Sequence, residues 1–194
     1  MENQQLLDHE NAEKILEEGW HLFQQKGYRG VTIDELCARC QLSKPTLYYY
    51  FQDKENLFVN VLQYKLRGFH AAADQSGTLN ERLAGVAVEI LDSFQAEYST
   101  ILRDREHIKN PENLKKIRDA FHRELFGPLN AIMQAGLQQG KLKGDSADIL
   151  TLIFLGIINN FIGKAAEMNI TNAALAQTLT SYFLEGAKKM SEMH

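Results

Sequence analysis

The chain has 194 residues, 44% of them hydrophobic and 24% charged, and a formal net charge of −4. That is enough chain for one large or two small globular domains. A membrane span is disfavoured: the most apolar run, Ile149 to Ile162, falls short of the roughly 20 residues a bilayer needs and is interrupted by Thr151, Gly156, Asn159 and Asn160.

Met1 to Glu13 is polar and acidic, without the apolar core of a signal peptide. With two cysteines and no export signal, the expectation is a reducing cytoplasm and no structural disulfide. The negative sum argues against a nucleic-acid partner, but the distribution matters more. Residues 1–20 hold six acidic side chains against Lys14, whereas residues 21–55 hold five cations (Lys26, Arg29, Arg39, Lys44, Lys54) against four acids. If this segment meets DNA, a few placed cations and backbone amides must suffice, doubled by dimerisation.

In chain order, nearly every segment reads at helical period, which makes the fold class all-α. Ala12, Ile15, Leu16, Gly19, Leu22 and Phe23 form one apolar face, and Gly27 ends that first helix. Thr32 with Glu35 fits a capping box opening a short helix from Ile33 to about Cys40. Ser43 is a good N-cap, and Pro45 fits the first turn of a third helix running to about Phe51. Asp53 caps a fourth helix carrying Leu57, Val61, Leu62, Tyr64 and Phe69.

Gly77 breaks the chain. Leu79, Leu83, Val86, Ala87, Ile90, Leu91, Phe94 and Tyr98 then follow helical spacing. Asn110-Pro111 starts a further helix, which Gly127-Pro128 closes while beginning the next. Gly140 and Gly144 mark a turn, Asp145 or Ser146 caps the apolar helix through Ile162, and Thr171 opens the last helix, with Leu175, Leu179, Tyr182, Phe183, Gly186 and Met190 on one side. The total is about nine helices.

Two short helices joined by Cys40-Gln41-Leu42-Ser43 have helix-turn-helix spacing. Cys37 and Cys40 are small where the next helix must cross. Leu47 and Phe51 can face inward, leaving Lys44, Thr46, Tyr48, Tyr49 and Tyr50 outside. Three consecutive tyrosines are hard to explain as core, because each hydroxyl needs a partner; phosphate oxygens are good partners.

The run Val31-Thr32-Ile33-Asp34-Glu35-Leu36, followed by Leu42-Ser43-Lys44-Pro45-Thr46-Leu47-Tyr48-Tyr49-Tyr50-Phe51-Gln52-Asp53-Lys54-Glu55-Asn56-Leu57, resembles the DNA-binding domain of the tetracycline-repressor (TetR) family. The likeness begins at Ile15-Leu16, Leu22-Phe23 and Gly27-Tyr28 and covers roughly residues 10–60. Beyond it the likeness is architectural, with sequence features limited to Gly136, Gly140, Leu142 and the apolar helix with Gly156. Two departures stand out. Gln41 occupies a turn position where the family usually has glycine, at a cost of about 1 kcal/mol if φ is positive. Cys37 and Cys40 stand where it usually has alanine.

The resemblance implies an N-terminal three-helix helix-turn-helix DNA-binding domain (residues 9–55). A fourth helix would join it to a larger helical ligand-binding and dimerisation domain (residues 56–194). Lys44, Pro45, Thr46 and Tyr49 would lie toward base edges, and Thr32, Tyr48, Tyr50 and Lys54 would contact phosphate. The helix N-termini at Thr32 and Ser43 would add oriented N–H groups. Tyr50 can equally pack inward. The implied partners are double-stranded operator DNA, an unknown small-molecule effector and a second copy of the chain, with no membrane and no cofactor. The implied activity is repression relieved by ligand; activation is a minority outcome.

Other constellations are weaker. Cys37-x-x-Cys40 has no second CxxC or nearby His-x-x-His and reads as two small buried residues rather than a redox or metal site. His107 and His122, beside Glu106 and Glu124, read as solvated or hydrogen-bonded histidines rather than a metal sensor. No nucleophile elbow, phosphate loop or dinucleotide signature points to an enzyme. Phe94, Tyr98, Phe121, Phe126, Phe154 and Phe161 are core by spacing, but about half of them would line an effector pocket if the family's architecture holds. Asn159 and Asn160 either face a dimer partner or a backbone group, or orient a ligand. Pairing is expected through helices at about 145–166 and 171–190, with Gly156, Gly163 and Gly186 permitting close approach.

Overall fold

The computed structural model describes residues 2–74, 76–94 and 104–187, with residues 2–9 and 105 described by their backbone alone. Nine α-helices occur among the described residues: α1 (Glu2–Gly30), α2 (Ile33–Cys40), α3 (Lys44–Phe51), α4 (Lys54–Ala73), α5 (Leu79–Ser93), α6 (Pro111–Phe121), α7 (Gly127–Gln138), α8 (Ala147–Asn160) and α9 (Asn172–Ala187). None is long and apolar enough to cross a membrane. Two compact units divide the chain: Met1–Lys65 with Ser99–Asp119, and Leu66–Tyr98 with Ala120–His194. The division thus falls inside α4 and α6, and a second stretch of chain joins the first unit.

In the first unit the expected apolar stripe of α1 buries Ile15, Leu22 and Phe23. Gly19 lets α4 approach, since a Cβ there would stand 3.0 Å from Val61. Gly27, at φ 68°, breaks the helix as its left-handed backbone demands. The Asp104 carboxylate lies over it and accepts the Tyr28 N–H at 2.8 Å. A 3-10 turn at Arg105–His107 then carries His107 against the Tyr28 ring, which also meets Phe58 edge-on.

In the second unit α9 packs most extensively on α5, and α7 on α8. Phe69, Leu83, Leu129, Met133 and Phe154 are fully buried. The Thr78–Glu81 pair forms a complete capping box at the start of α5. Ser146, rather than Asp145, caps α8 by accepting the Ile149 N–H.

Two expected boundaries are corrected. Gly127-Pro128 does not interrupt the chain: His122–Phe126 forms a π-helical turn that carries α6 directly into α7. Proline lacks the N–H that an α-helix would donate to residue 124 and would clash with that carbonyl, and a wider turn accommodates both defects. The helix expected to reach residue 166 stops at Asn160. The Asn160 side chain bonds the Gly156 carbonyl, and the chain runs on in tight turns through Gly163 at φ 76°. Gly163 is therefore not on a helix. Of the last helix, Met190 lies outside the described residues.

Candidate nucleic-acid interface

Thr32 is extended and exposed, and its hydroxyl accepts the Glu35 N–H at 3.2 Å, starting α2. The other half of the expected box is missing: Glu35 instead forms an ion pair with Lys26. Gln41 closes α2 in the left-handed region at φ 57°, ψ 40°, with its N–H on Ala38 and the Leu42 N–H on Cys37. Gln41 thus takes a backbone conformation that favours glycine, at the strain that position implies.

Cys37 and Cys40 are buried free thiols. Burial pushes the Cys40 thiol up to about 11, assisted by Glu18, and raises Cys37 as well. A thiolate-based chemistry is thereby disfavoured; the Cys40 thiol lies 3.9 Å from the Lys14 carbonyl oxygen, so this small residue meets α1.

Ser43 caps α3, its Oγ accepting the Thr46 N–H at 3.3 Å and lying 2.8 Å from the Thr46 hydroxyl. Leu47 and Phe51, four residues apart, are buried and fasten the helix. Lys44, Pro45, Tyr48 and Tyr49 face outward, with Tyr49 75% exposed. Thr46 is half-buried. Tyr50 is half-buried too, its ring edge-on to Tyr49 at 5.2 Å and tilted against Phe51. The α3 surface therefore presents a cation, a rigid proline and two phenols on a firmly anchored helix. Such a helix can enter a major groove with hydroxyls free to meet phosphate or base edges.

The cations are less available than their sequence positions suggest. Lys44 Nζ lies 2.7 Å from Asp34 Oδ1, and the hydrogen bond to that carboxylate holds the ammonium above the ordinary lysine range. Arg39 pairs with Glu18 at 3.3 Å. Lys54 opens α4 after the Asp53 cap, with its ammonium 4.7 Å above the Tyr28 ring. Partial burial lowers its pKa, and Asp104 opposes that shift without cancelling it.

Sequence reasoning missed Glu55, which accepts the Lys109 N–H at 3.1 Å, the Asn110 N–H at 3.0 Å and the Asn113 amide at 3.0 Å. Burial raises its pKa, but these three donors and the Lys109 charge together outweigh that and hold the carboxyl below its usual range.

The residues expected to line a pocket are scattered over the second unit. Phe94 stacks on Phe69 and borders a cleft of about 430 Å³ with Leu91, Asp92, Ala165, Ile170 and Asn172. Phe94 also lines a small cavity of about 20 Å³ with Ile90, Leu125, Leu155 and Asn159. Asn159 Oδ1 is buried without a hydrogen-bond partner among the described residues. Phe154 is core, edge-on to Phe183. Phe121 and Phe126 pack on each other, and Phe161 follows the end of α8 half-buried. None of these four borders either cavity, and Tyr98 lies outside the described residues. Asp92 and Asn172, joined at 2.8 Å, were not foreseen; eighty residues separate them.

Residues 15–61 match the profile of bacterial regulatory proteins of the tetR family. The chain is 28% identical over 148 residues to the HTH-type transcriptional repressor NicS of Pseudomonas putida, covering 69% of this chain and 66% of that protein, just under two thirds of its length. It is 21% identical over 150 residues to the biofilm operon icaADBC HTH-type negative transcriptional regulator IcaR of Staphylococcus aureus, covering 74% and 78% respectively. Among solved structures, the TetR family transcriptional regulator PfmR from Thermus thermophilus superposes with a TM-score of 0.69 at 25% identity, over 90% of this chain and 99% of that one. AibR, solved with isovaleryl coenzyme A and operator DNA, shares the fold at a TM-score of 0.69 and 21% identity, over 89% and 97%. With its helix-turn-helix built from α2 and α3 inside the matched segment, the chain carries, over residues 15–61, the DNA-binding domain of the tetR family of bacterial regulatory proteins, and over most of its length it is similar to HTH-type transcriptional repressors.

Proposed function

We propose that the chain is a ligand-responsive repressor that binds a pseudo-palindromic operator as a homodimer in the cytoplasm and is released by a small molecule. The observation that carries this reading is α3: capped by Ser43, anchored by Leu47 and Phe51, with Tyr49 75% exposed. Residues 9–55 hold the DNA-reading elements, and residues 56–194 the effector and pairing surfaces. Lys44, Pro45, Thr46 and Tyr49 face base edges; Thr32, Ser43, Tyr48, Tyr50 and Lys54 serve the phosphates, Lys54 by leaving the Tyr28 ring.

Pairing runs through α8 and α9. Ile149, Leu152 and Ile153 are 60%, 59% and 49% exposed on α8, and Tyr182 is 67% exposed on α9. Gly156 and Gly186 have no atom within 4 Å of a Cβ position, so a second pair of helices could approach closely there. Exposed apolar side chains so grouped mark an interaction surface, and a two-fold pair sets the spacing of two recognition helices.

We assign the effector site to the cleft and cavity that share Phe94, where Asn159 Oδ1, without a hydrogen-bond partner among the described residues, would orient a ligand. AibR was solved with isovaleryl coenzyme A, and FadR of Bacillus subtilis with stearoyl-CoA. Acyl-coenzyme A thioesters are therefore first in the screen.

The test is selection of genomic fragments by the purified chain, followed by a screen for release. A recovered palindromic consensus and a sedimentation mass about twice 22.1 kDa are expected; enrichment of no sequence would refute the reading. Lys54→Ala should weaken binding to all sequences and flatten the salt slope by about 1 per chain.

A further inference from the structure

Residues 21–55 are barely basic, yet three of their five cations are already matched to a carboxylate in the free protein: Lys26 with Glu35, Arg39 with Glu18 and Lys44 with Asp34. These pairs are not equivalent. The first two tie α1 to α2 and brace the packing of those helices. The third ties the first turn of α2 to the first residue of α3, and there both side chains are open, 50% exposed for Lys44 and 76% for Asp34. It stands at the end of the motif where Thr32 and Ser43 present their helix N-termini.

A cation in the first turn of a helix is unfavourably placed against the helix dipole. Asp34 supplies the negative charge that compensates it, as a duplex phosphate would at the same place. We infer that Asp34 is an internal counter-anion for Lys44, occupying the position of a DNA phosphate until the duplex displaces it. The inference rests on the DNA-binding reading above.

The consequence is thermodynamic. A lysine that goes from solvent to phosphate releases counterions from the duplex, which gives DNA binding its steep salt dependence. When Lys44 instead changes partner, the abandoned Asp34 takes up a cation from solution. That uptake offsets the release at this contact. Asp34 therefore weakens binding to any duplex at low salt and makes the complex less sensitive to ionic strength.

The experiment uses the full chain and a 30-base-pair duplex of arbitrary sequence, with affinity measured by fluorescence anisotropy from 50 mM to 300 mM KCl. Asp34→Asn should bind about tenfold tighter at the lowest salt and steepen the slope of log affinity against log salt by about 1 per chain, the difference shrinking as salt rises. Lys44→Ala should bind more weakly than the parent. In the Lys44→Ala background, Asp34→Asn should change neither affinity nor slope, because the pair is the cause.

An unchanged slope in the single variant overturns the inference. So does an equal gain in both backgrounds, which would mean a general change of net charge. Thermal melts of all four proteins confirm that each is folded; if Asp34→Asn is not, Asp34→Ser takes its place. Failure of the parent itself to bind any duplex at 50 mM KCl overturns the DNA-binding reading and is thereby distinguishable.

Discussion

Glu55 illustrates how much one side chain can organise. Its carboxylate gathers two backbone N–H groups and one side-chain amide from residues 109–113. Hydrogen bonds to a charged acceptor are the stronger kind. Because the donors hold its pKa below the unfolded value, its contribution is present above that value, near pH 4.5, and is lost as pH falls through the folded pKa. Glu55→Gln should destabilise the chain by about 1 kcal/mol at pH 7, with the gap to the parent closing below pH 4; urea melts at both pH values check this. Nothing in the sequence advertised the residue, since its partners lie 54 to 58 positions away. Thr32, Ser43 and Asp53, by contrast, were legible as caps, because a cap acts on an N–H three residues onward. Lys44 and Lys54 were legible as cations but not as paired ones, because Asp34 and the Tyr28 ring meet them only after folding.

At the scale of elements, periodicity located the helices well and their joints poorly. The stripe on α1 and the inward pair on α3 follow directly from spacing. Gly127-Pro128 looked like a break because both residues disfavour helix interiors, yet the wider turn absorbs them. There the Gly127 N–H reaches the His122 carbonyl five residues back, and a Cβ on Gly127 would stand 2.8 Å from that same oxygen. Gly127→Ala should therefore force the π-helical turn to rearrange and destabilise the chain by about 1–3 kcal/mol. A thermal midpoint lowered by about 2–4 °C for each kcal/mol is the expected reading. An unchanged midpoint would mean that the turn is not constrained by that contact. The early stop of α8 has a comparable origin, with Asn160 bonding a carbonyl of its own helix and Gly163 entering the left-handed region.

At the scale of the whole molecule, the likeness to tetR-type regulators and the all-α class were legible because the DNA-reading motif is local. The division of the chain was not. The boundary at residue 55 read from the motif differs from the compact unit, which takes in Met1–Lys65 and then Ser99–Asp119. A fragment of residues 1–65 would lack the Asp104 carboxylate on the Tyr28 N–H, the His107 ring stacked on Tyr28 and all three donors to Glu55. It should melt well below the full chain and with a broader transition, as circular dichroism would record. An equally sharp melt at the parent's temperature would argue that those contacts are dispensable. The same discontinuity bears on how such regulators can be recombined. A hybrid made by exchanging only the leading stretch would inherit the groove-facing helix without the strap that completes its support. Successful exchange of operator preference between relatives should require both stretches to travel together, or a few substitutions that leave this scaffold in place.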